Sequence, residues 1–335
     1  YPPDEQSNRH ALAPPTRIRF RDPAGWSLRP FVHPFSMETD PSTFSRRAVE
    51  DASQRTYVRF FVHGATYRLF GLFATDVHFL GLAEDGAGTR LYLFGADALG
   101  RDLFSRTLVG GRISLAVGPI VVLLLTPLAA LLGGLSGYRG GWVDFLVQRL
   151  GEVAVALPGL PVLVVAGAAL AARHSPPALT LLVVLSVLVG LGWGSMARVV
   201  RGQVLSLRER DFVVAARAVG AGHVRVLCRH VLPHVTSYLV VSGTLLIPGT
   251  ELTEASLSFL GLGVREPMTS WGALLGGARS LAAVEGSPWL LIPGGFLAAS
   301  VLAFACLGEA VREAEAGRAS GRARRSRPGA RAIPN

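Results

Sequence analysis

Residues 113–138 read ISLAVGPIVVLLLTPLAALLGGLSGY, 26 positions from Ile113 to Tyr138 without one Arg, Lys, Asp or Glu. A helix rises about 1.5 Å per residue and a hydrocarbon core is about 30 Å thick, so about 20 such residues can cross it. Four more blocks follow. Residues 153–172 and 174–197 are uncharged over 20 and 24 positions, 235–250 over 16, and 286–308 over 23. One such block could be a buried helix of a soluble domain, whereas five in succession describe a membrane bundle. Spans are expected near 113–136, 153–172, 176–197, 235–255 and 287–308. The fourth reaches its length only by including Glu251 and Glu254, so those carboxylates must face protein or water.

Composition agrees with this reading. Half of the 335 residues are hydrophobic and only 17% are charged, where a soluble domain carries about a quarter. Mean hydropathy is positive at +0.40. The net charge of +10 first suggests nucleic acid, yet every basic residue is Arg and their placement follows the membrane. The links after spans one and three and the C-terminal tail carry 2, 7 and 7 Arg, against 1 and 2 in the links after spans two and four. Arg-rich connections stay in the cytoplasm. The C-terminus is therefore expected inside and residues 1–112 outside. The 14 Arg of that long region do not contradict the rule, because long translocated domains escape it. An outside region of this length needs a means of export, so a further span upstream of Tyr1 is expected, giving six spans and two cytoplasmic termini. With no Lys anywhere, a P-loop of the Gly-Lys-Ser/Thr type is excluded, and ATP would have to be bound by another chain.

Three regions result: an extracytoplasmic, partly β segment at 1–93, a membrane domain at 94–309, and a basic tail at 310–335 read as disordered. In the first, Thr16–Phe20, Tyr57–Val62, Tyr67–Phe70 and Leu91–Phe94 read as strands, with a turn at Asp22-Pro23-Ala24-Gly25 and a loop from Ser36 to Gln54. In the membrane domain, Gly133 with Gly137 and Gly190 with Gly194 have the small-xxx-small spacing that lets helix backbones approach.

The link 198–233 reads RVVRGQVLSLRERDFVVAARAVGAGHVRVLCRHVLP. Ser206 and Glu209 have capping-box spacing. Phe212, Ala215, Ala216 and Val219 make one apolar stripe, and Gly220 stands where a helix would end left-handed. A short helix over about 207–219 is expected outside the bilayer, with Pro233 at the start of span four. Physics alone leaves this helix on anionic lipid, in solvent, or, less well given a single aromatic residue, on nucleic acid.

The same link resembles the EAA loop of binding-protein-dependent ABC importer permeases. Val214-Ala215-Ala216 takes the place of Glu-Ala-Ala, Gly220 follows at the family spacing, and Leu232-Pro233 closes the motif. Val214 replaces the motif's Glu, and Arg229-His230-Val231-Leu232-Pro233 is similar to the dipeptide, oligopeptide and nickel subgroup. Gly95-Ala96-Asp97-Ala98-Leu99-Gly100-Arg101-Asp102, running on to Ser105-Arg106, resembles that subgroup's LGTDxxGRDxxSR segment. Glu254-Ala255-Ser256-Leu257-Ser258-Phe259-Leu260-Gly261-Leu262-Gly263 and Ser270-Trp271-Gly272 resemble its segment after span four.

The resemblance, from about Leu93 to Gly308, implies an all-α, type I importer permease bundle in a bacterial inner membrane, without catalysis or cofactor of its own. It implies a second permease subunit, two cytosolic ATPases and an extracytoplasmic substrate-binding protein as partners. Arg208, Asp211, Phe212, Ala215, Ala216, Gly220, Leu232 and Pro233 would couple to the ATPases. Asp97, Gly100, Arg101, Asp102 and Arg106 form an outer-face motif that either binds substrate or is a structural ion network. Glu251 and Glu254 either line the pathway or cap the span. Di- or oligopeptides are the expected cargo, with nickel chelates or sugars the alternative.

Other classes fit less well. An intramembrane protease needs a Ser–His or paired-Asp constellation, and Ser195 and Ser242 have no His at matching depth. A secondary transporter usually shows midplane charges and an internal repeat, and neither is evident. Gly261-Leu262-Gly263 lacks the third Gly of a dinucleotide loop. His223, His230 and His234 read as solvated or interfacial rather than as metal ligands. Cys228 and Cys306 read as small apolar fillers.

Overall fold

A computed structural model of the chain describes residues 1–23, 25–39, 46–69, 73–83 and 90–325. Among the described residues, four helices are long and apolar enough to cross a membrane: Leu103–Arg139, Pro177–Leu207, His223–Phe259 and Pro288–Gly317. A fifth span is possible if the pair Gly141–Ala156 and Gly159–Ala172 counts as one. The chain divides into two compact units, one of residues 1–113 and 258–297, the other of 114–257 and 298–335.

The first unit holds all the described strands: β1 (Arg19–Asp22), β2 (Gly25–Val32), β3 (Phe35–Thr39), β4 (Arg46–Glu50), β5 (Thr56–Leu69) and β6 (Phe73–Leu82). An antiparallel sheet runs β1-β2-β5-β6, and β3 pairs with β4 separately from Phe35↔Glu50 to Thr39↔Arg46. The loop read from Ser36 to Gln54 is thus largely a two-stranded ribbon, with residues 40–45 outside the described ones. Its polar side chains hid an alternation in which only one face is shielded. The Thr16–Phe20 strand begins only at Arg19, and the last residue of the Tyr67–Phe70 strand lies outside the described residues. Leu91–Phe94 is not a strand. It is held by Thr16 N–H donating to Tyr92 O (2.8 Å) and Tyr92 N–H to Thr16 Oγ1 (3.0 Å), while Leu91 and Tyr92 are buried. Its apolar pattern reports burial, not a ladder. Val32, Val58 and Leu91 form one small core and Ala13, Tyr92 and Ala96 another.

The second unit is helical. Helix α1 (Leu103–Arg139), which begins in the first unit and enters the second at Ser114, carries Pro119 and Pro127 without breaking. It starts ten residues before the expected span because Asp102 Oδ2 accepts from Ser105 N–H (3.0 Å) and satisfies its first turn. The second expected span is not one helix. Helices α2 (Gly141–Ala156) and α3 (Gly159–Ala172) meet at 76°. Pro158 lacks the amide hydrogen to continue the ladder, and Leu157 before it takes extended backbone with ψ 123°. Helix α4 (Pro177–Leu207) packs along both.

Past α4 come α5 (Asp211–Ala218) and α6 (His223–Val226), then a π turn, Leu227–Val231, leading into α7 (Leu232–Phe259). Pro233 is the second residue of α7, as expected of the span's entry, but α6 and the π turn run into it without a break. Without an N–H it cannot serve the carbonyl four residues back, and just before it Leu232 N–H bonds to Leu227 O, five residues back. In the first unit, α8 (Trp271–Leu275) and α9 (Leu281–Gly286) follow, capped by Ser270 and Ser280. Helix α10 (Ile292–Arg325) begins in the first unit and ends in the second. The tail read as disordered from 310 is helical to Arg325. Arg312 pairs with Glu309, and Ser237 Oγ donates to Glu315 (2.6 Å). Residues 326–335 lie outside the described ones.

Close approach needs glycine at several helix crossings. A Cβ on Gly133 would strike the Ala197 carbonyl and lie 2.9 Å from Val200 Cβ, and one on Gly137 would lie 2.7 Å from Arg201 O. Gly194 crosses Gly151 equally closely, but Gly190 faces open space. Gly133→Ala should lower stability by about 1–3 kcal/mol, the usual range for overpacking, whereas Gly190→Ala should be neutral. Thermal melting of the two variants in detergent micelles checks the contrast.

Candidate functional site

Helix α5 begins after Arg210, whose carbonyl accepts from Val213 N–H (2.9 Å) and Val214 N–H (3.1 Å). The Ser206–Glu209 capping box does not form. Ser206 is still inside α4, its hydroxyl donating to Gln203 O (2.8 Å). At the other end Gly220 N–H donates to Arg217 O (2.9 Å) and Ala221 N–H to Ala216 O (3.0 Å). These two bonds define a Schellman turn, which places Gly220 at φ +84°. A side chain there would be strained whatever the surrounding space.

The helix is anchored by one row of side chains and exposes another. Val213 is fully buried among Tyr138, Val200, Val204, Val226, Leu227, Val231 and Val235, with Ala216, Ala221 and Leu232 packed against the cluster. Ala216, read with the outward stripe, therefore belongs partly to the anchor. Val213 was missed because the sequence stripe was phased on Phe212, one residue off. Phe212, Ala215 and Val219 face outward, Val219 at 85% exposure. Val214, at the place of the motif's Glu, is also exposed.

Polar contacts fasten the same cluster. Arg217 Nε donates to Tyr138 Oη (3.2 Å) and its guanidinium lies 4.9 Å from the ring centroid. Arg201 grips Asp144 with Nε (2.5 Å) and Nη2 (2.6 Å). Arg208 reaches Gly137 O (3.4 Å) and Glu209 (3.5 Å). Asp211 and Pro233 are exposed. The Phe212 ring is 5.1 Å from that of His234, and His223 sits edge-on to Tyr138 at 5.9 Å. Two of the three histidines thus rest against aromatic rings. No group of three or more His, Cys, Asp or Glu among the described residues could hold a metal ion.

The motif from Asp97 to Arg106 assembles a second constellation, wholly within the first unit. Asp97 Oδ1 accepts from Leu99 N–H (2.9 Å) and Arg101 N–H (3.0 Å), and Oδ2 from Arg101 Nε (2.7 Å). Gly100 takes φ +71°, where a Cβ would collide with the Ser7 carbonyl. Arg101 and Arg106, both buried, share Glu266 Oε1 at 2.5 and 3.3 Å, and Arg106 Nη2 also donates to Thr269 (3.0 Å). Asp102 stands apart as the cap of α1. Sequence reading missed Glu266 and Thr269, 160 residues away, because nothing local links them to the motif. Burial opposes the charge of Glu266, but the hydrogen bonds and charges of Arg101 and Arg106 outweigh it and hold the carboxyl below its usual range.

Glu251 and Glu254 are one turn apart on α7 and both are buried. Ser300 on α10 donates to Glu251.

Residues 129–314 match the family described as binding-protein-dependent transport system inner membrane component. A Brucella ovis protein bearing the name of a peptide permease is 42% identical over 70% of this chain and 75% of its own length. The oligopeptide transport system permease protein OppC of Haemophilus influenzae is 38% identical over 67% of this chain and 69% of its own. OppC of Bacillus subtilis is 36% identical over 70% and 74%.

The depressed pKa of Glu266 gives a signed prediction. A group whose folded pKa is lowered stabilises the fold above its unfolded value, and that contribution is lost as pH falls through the folded one. Glu266→Gln should therefore melt below the wild type at about pH 7, and the gap should close below about pH 4. Melting curves across this range measure it.

Proposed function

The chain belongs to the family of binding-protein-dependent transport system inner membrane components, and we propose that it works as a permease subunit of an ABC importer of peptides. It is a multi-pass inner-membrane protein of that family and acts within a complex with other subunits. Helix α5 would insert its outward row, Phe212, Ala215 and Val219, into a groove of a cytosolic ATPase. A second permease subunit would complete the pore, a second ATPase would serve it, and a substrate-binding protein would deliver cargo from outside. The Arg bias of the connections supports a cytoplasmic C-terminus with residues 1–112 outside. The names of the relatives support di- or oligopeptides as cargo.

One observation carries the reading. An eight-residue helix outside the candidate spans buries Val213 and half-buries Ala216 in the bundle while turning apolar side chains to solvent. Exposed apolar rows on a rigid mount are partner surfaces more often than accidents. Because the helix is packed against the ends of α1, α4 and α7, a push on it moves those helices as a body. ATP binding elsewhere would thus bias two states of the pore, which is what coupling requires. Glu251 and Glu254 would supply the polar lining of the route.

Val219→Glu places a charge in the row without touching the anchor, and Gly220→Pro removes the N–H that closes the Schellman turn. Both should reduce peptide-stimulated ATPase activity of the reconstituted complex at least tenfold, about 1.4 kcal/mol of lost coupling, with membrane insertion intact. Normal stimulation in both would contradict the coupling role.

A further inference from the structure

Beside the Asp97–Arg106 network lies a cavity of about 370 Å³. Its wall carries four guanidiniums, from Arg101, Arg106, Arg265 and Arg279, against two carboxylates, from Asp97 and Glu266. Arg101 is 7% exposed and Arg106 only 4%. Arg106 is under-served: Nε makes no hydrogen bond, and neither does Nη1, although it lies 3.5 Å from Asp97. Buried donors left unmet are costly, more so when charged. The carboxylate that bridges both arginines, Glu266, is itself 57% exposed. It reaches in from the surface, whereas Asp97 is fixed by two backbone N–H groups.

We propose that this pocket seats the C-terminal carboxylate of a peptide, which takes over the position on Arg101 and Arg106 that Glu266 holds when the pocket is empty. Exchange of one carboxylate for another leaves the charge on the arginines balanced. The unmet Nε and Nη1 donors of buried Arg106 favour the incoming anion over a neutral group. A volume near 370 Å³ falls within the range of about 300–1,000 Å³ typical of small-ligand sites. Asp97 orients Arg101, and Thr269 orients Arg106. A lock that serves only to fasten the loop would have no use for the adjoining space. The choice of ligand rests on the peptide-import reading.

The test uses the assembled transporter in nanodiscs with trialanine and trialanine amide as probes. Glu266→Gln should melt below the wild type, trialanine should restore the midpoint, and the amide should not. The same variant should bind trialanine about tenfold more tightly than the wild type, because the internal competitor is gone. Adding Arg106→Gln should abolish the rescue. Should Glu266→Gln fail to assemble, Ala273→Leu narrows the pocket without touching the ion network, and should weaken trialanine binding while leaving basal melting unchanged. Equal responses to acid and amide, or weaker binding by Glu266→Gln, would overturn the proposal. Uptake into vesicles separates the two readings. If acid and amide enter equally well, the carboxylate seat is wrong and peptide import stands. If no peptide enters at all, peptide import itself is wrong.

Discussion

Hydrocarbon offers a peptide N–H or C=O no partner, and each one left unmet costs several kcal/mol. That single penalty explains why the chain crosses the bilayer only as helix, and why each interruption has a compensation. At the α2–α3 break, Leu157 N–H still finds Val153 O before Pro158 redirects the chain by 76°. Ahead of Pro233, bonding lapses into a π turn that restores a partner to Leu232. Charges obey the same rule. Glu251 lies inside, hydrogen-bonded by Ser300, rather than toward lipid.

Packing between these helices has little hydrophobic drive, because lipid tails are as apolar as leucine. Contact at the backbone takes its place. Gly133 and Gly137 bring α1 onto α4, and Gly151 meets Gly194 where α2 crosses α4. A bundle joined through backbone transmits displacement, since there is no soft side chain to absorb it. The cluster around Val213 joins α5 to this rigid body, and the Arg217–Tyr138 and Arg201–Asp144 contacts pin its polar edge. A motor pulling on Val219 would therefore pull on α1, α4 and α7 together.

Much of this was legible in the residues. Successive long uncharged runs gave the membrane class. Gly220 announced the left-handed end of α5, which the Schellman turn explains. What escaped was non-local or depended on phase. The bend at Pro158 was invisible because the run 153–172 is uniformly apolar, and hydropathy carries no direction. The Ser206–Glu209 box was misleading because α4 runs on to Leu207 and consumes the capping serine. The apolar row of α5 was misphased because Phe212 is the larger residue, while Val213 is the one buried. Glu266 could not be tied to Arg101 and Arg106 by any spacing, since only the folded loop brings them together. The β3–β4 ribbon hid in polar residues because a two-stranded ribbon buries too little to leave an apolar signature.

Helix α5 has one face sunk in the bundle and the other exposed, and in the proposed function that exposed face meets a cytosolic ATPase. With Cys228 and Cys306 replaced by Ser, single cysteines at Val219 and Val213 can be probed by a membrane-impermeant maleimide in inside-out vesicles. Cysteine at 219 should react rapidly without the ATPase subunits and become protected when they bind, while cysteine at 213 should stay unreactive throughout. Labelling of position 219 only from the outer side, or labelling that the ATPases leave unchanged, would contradict it.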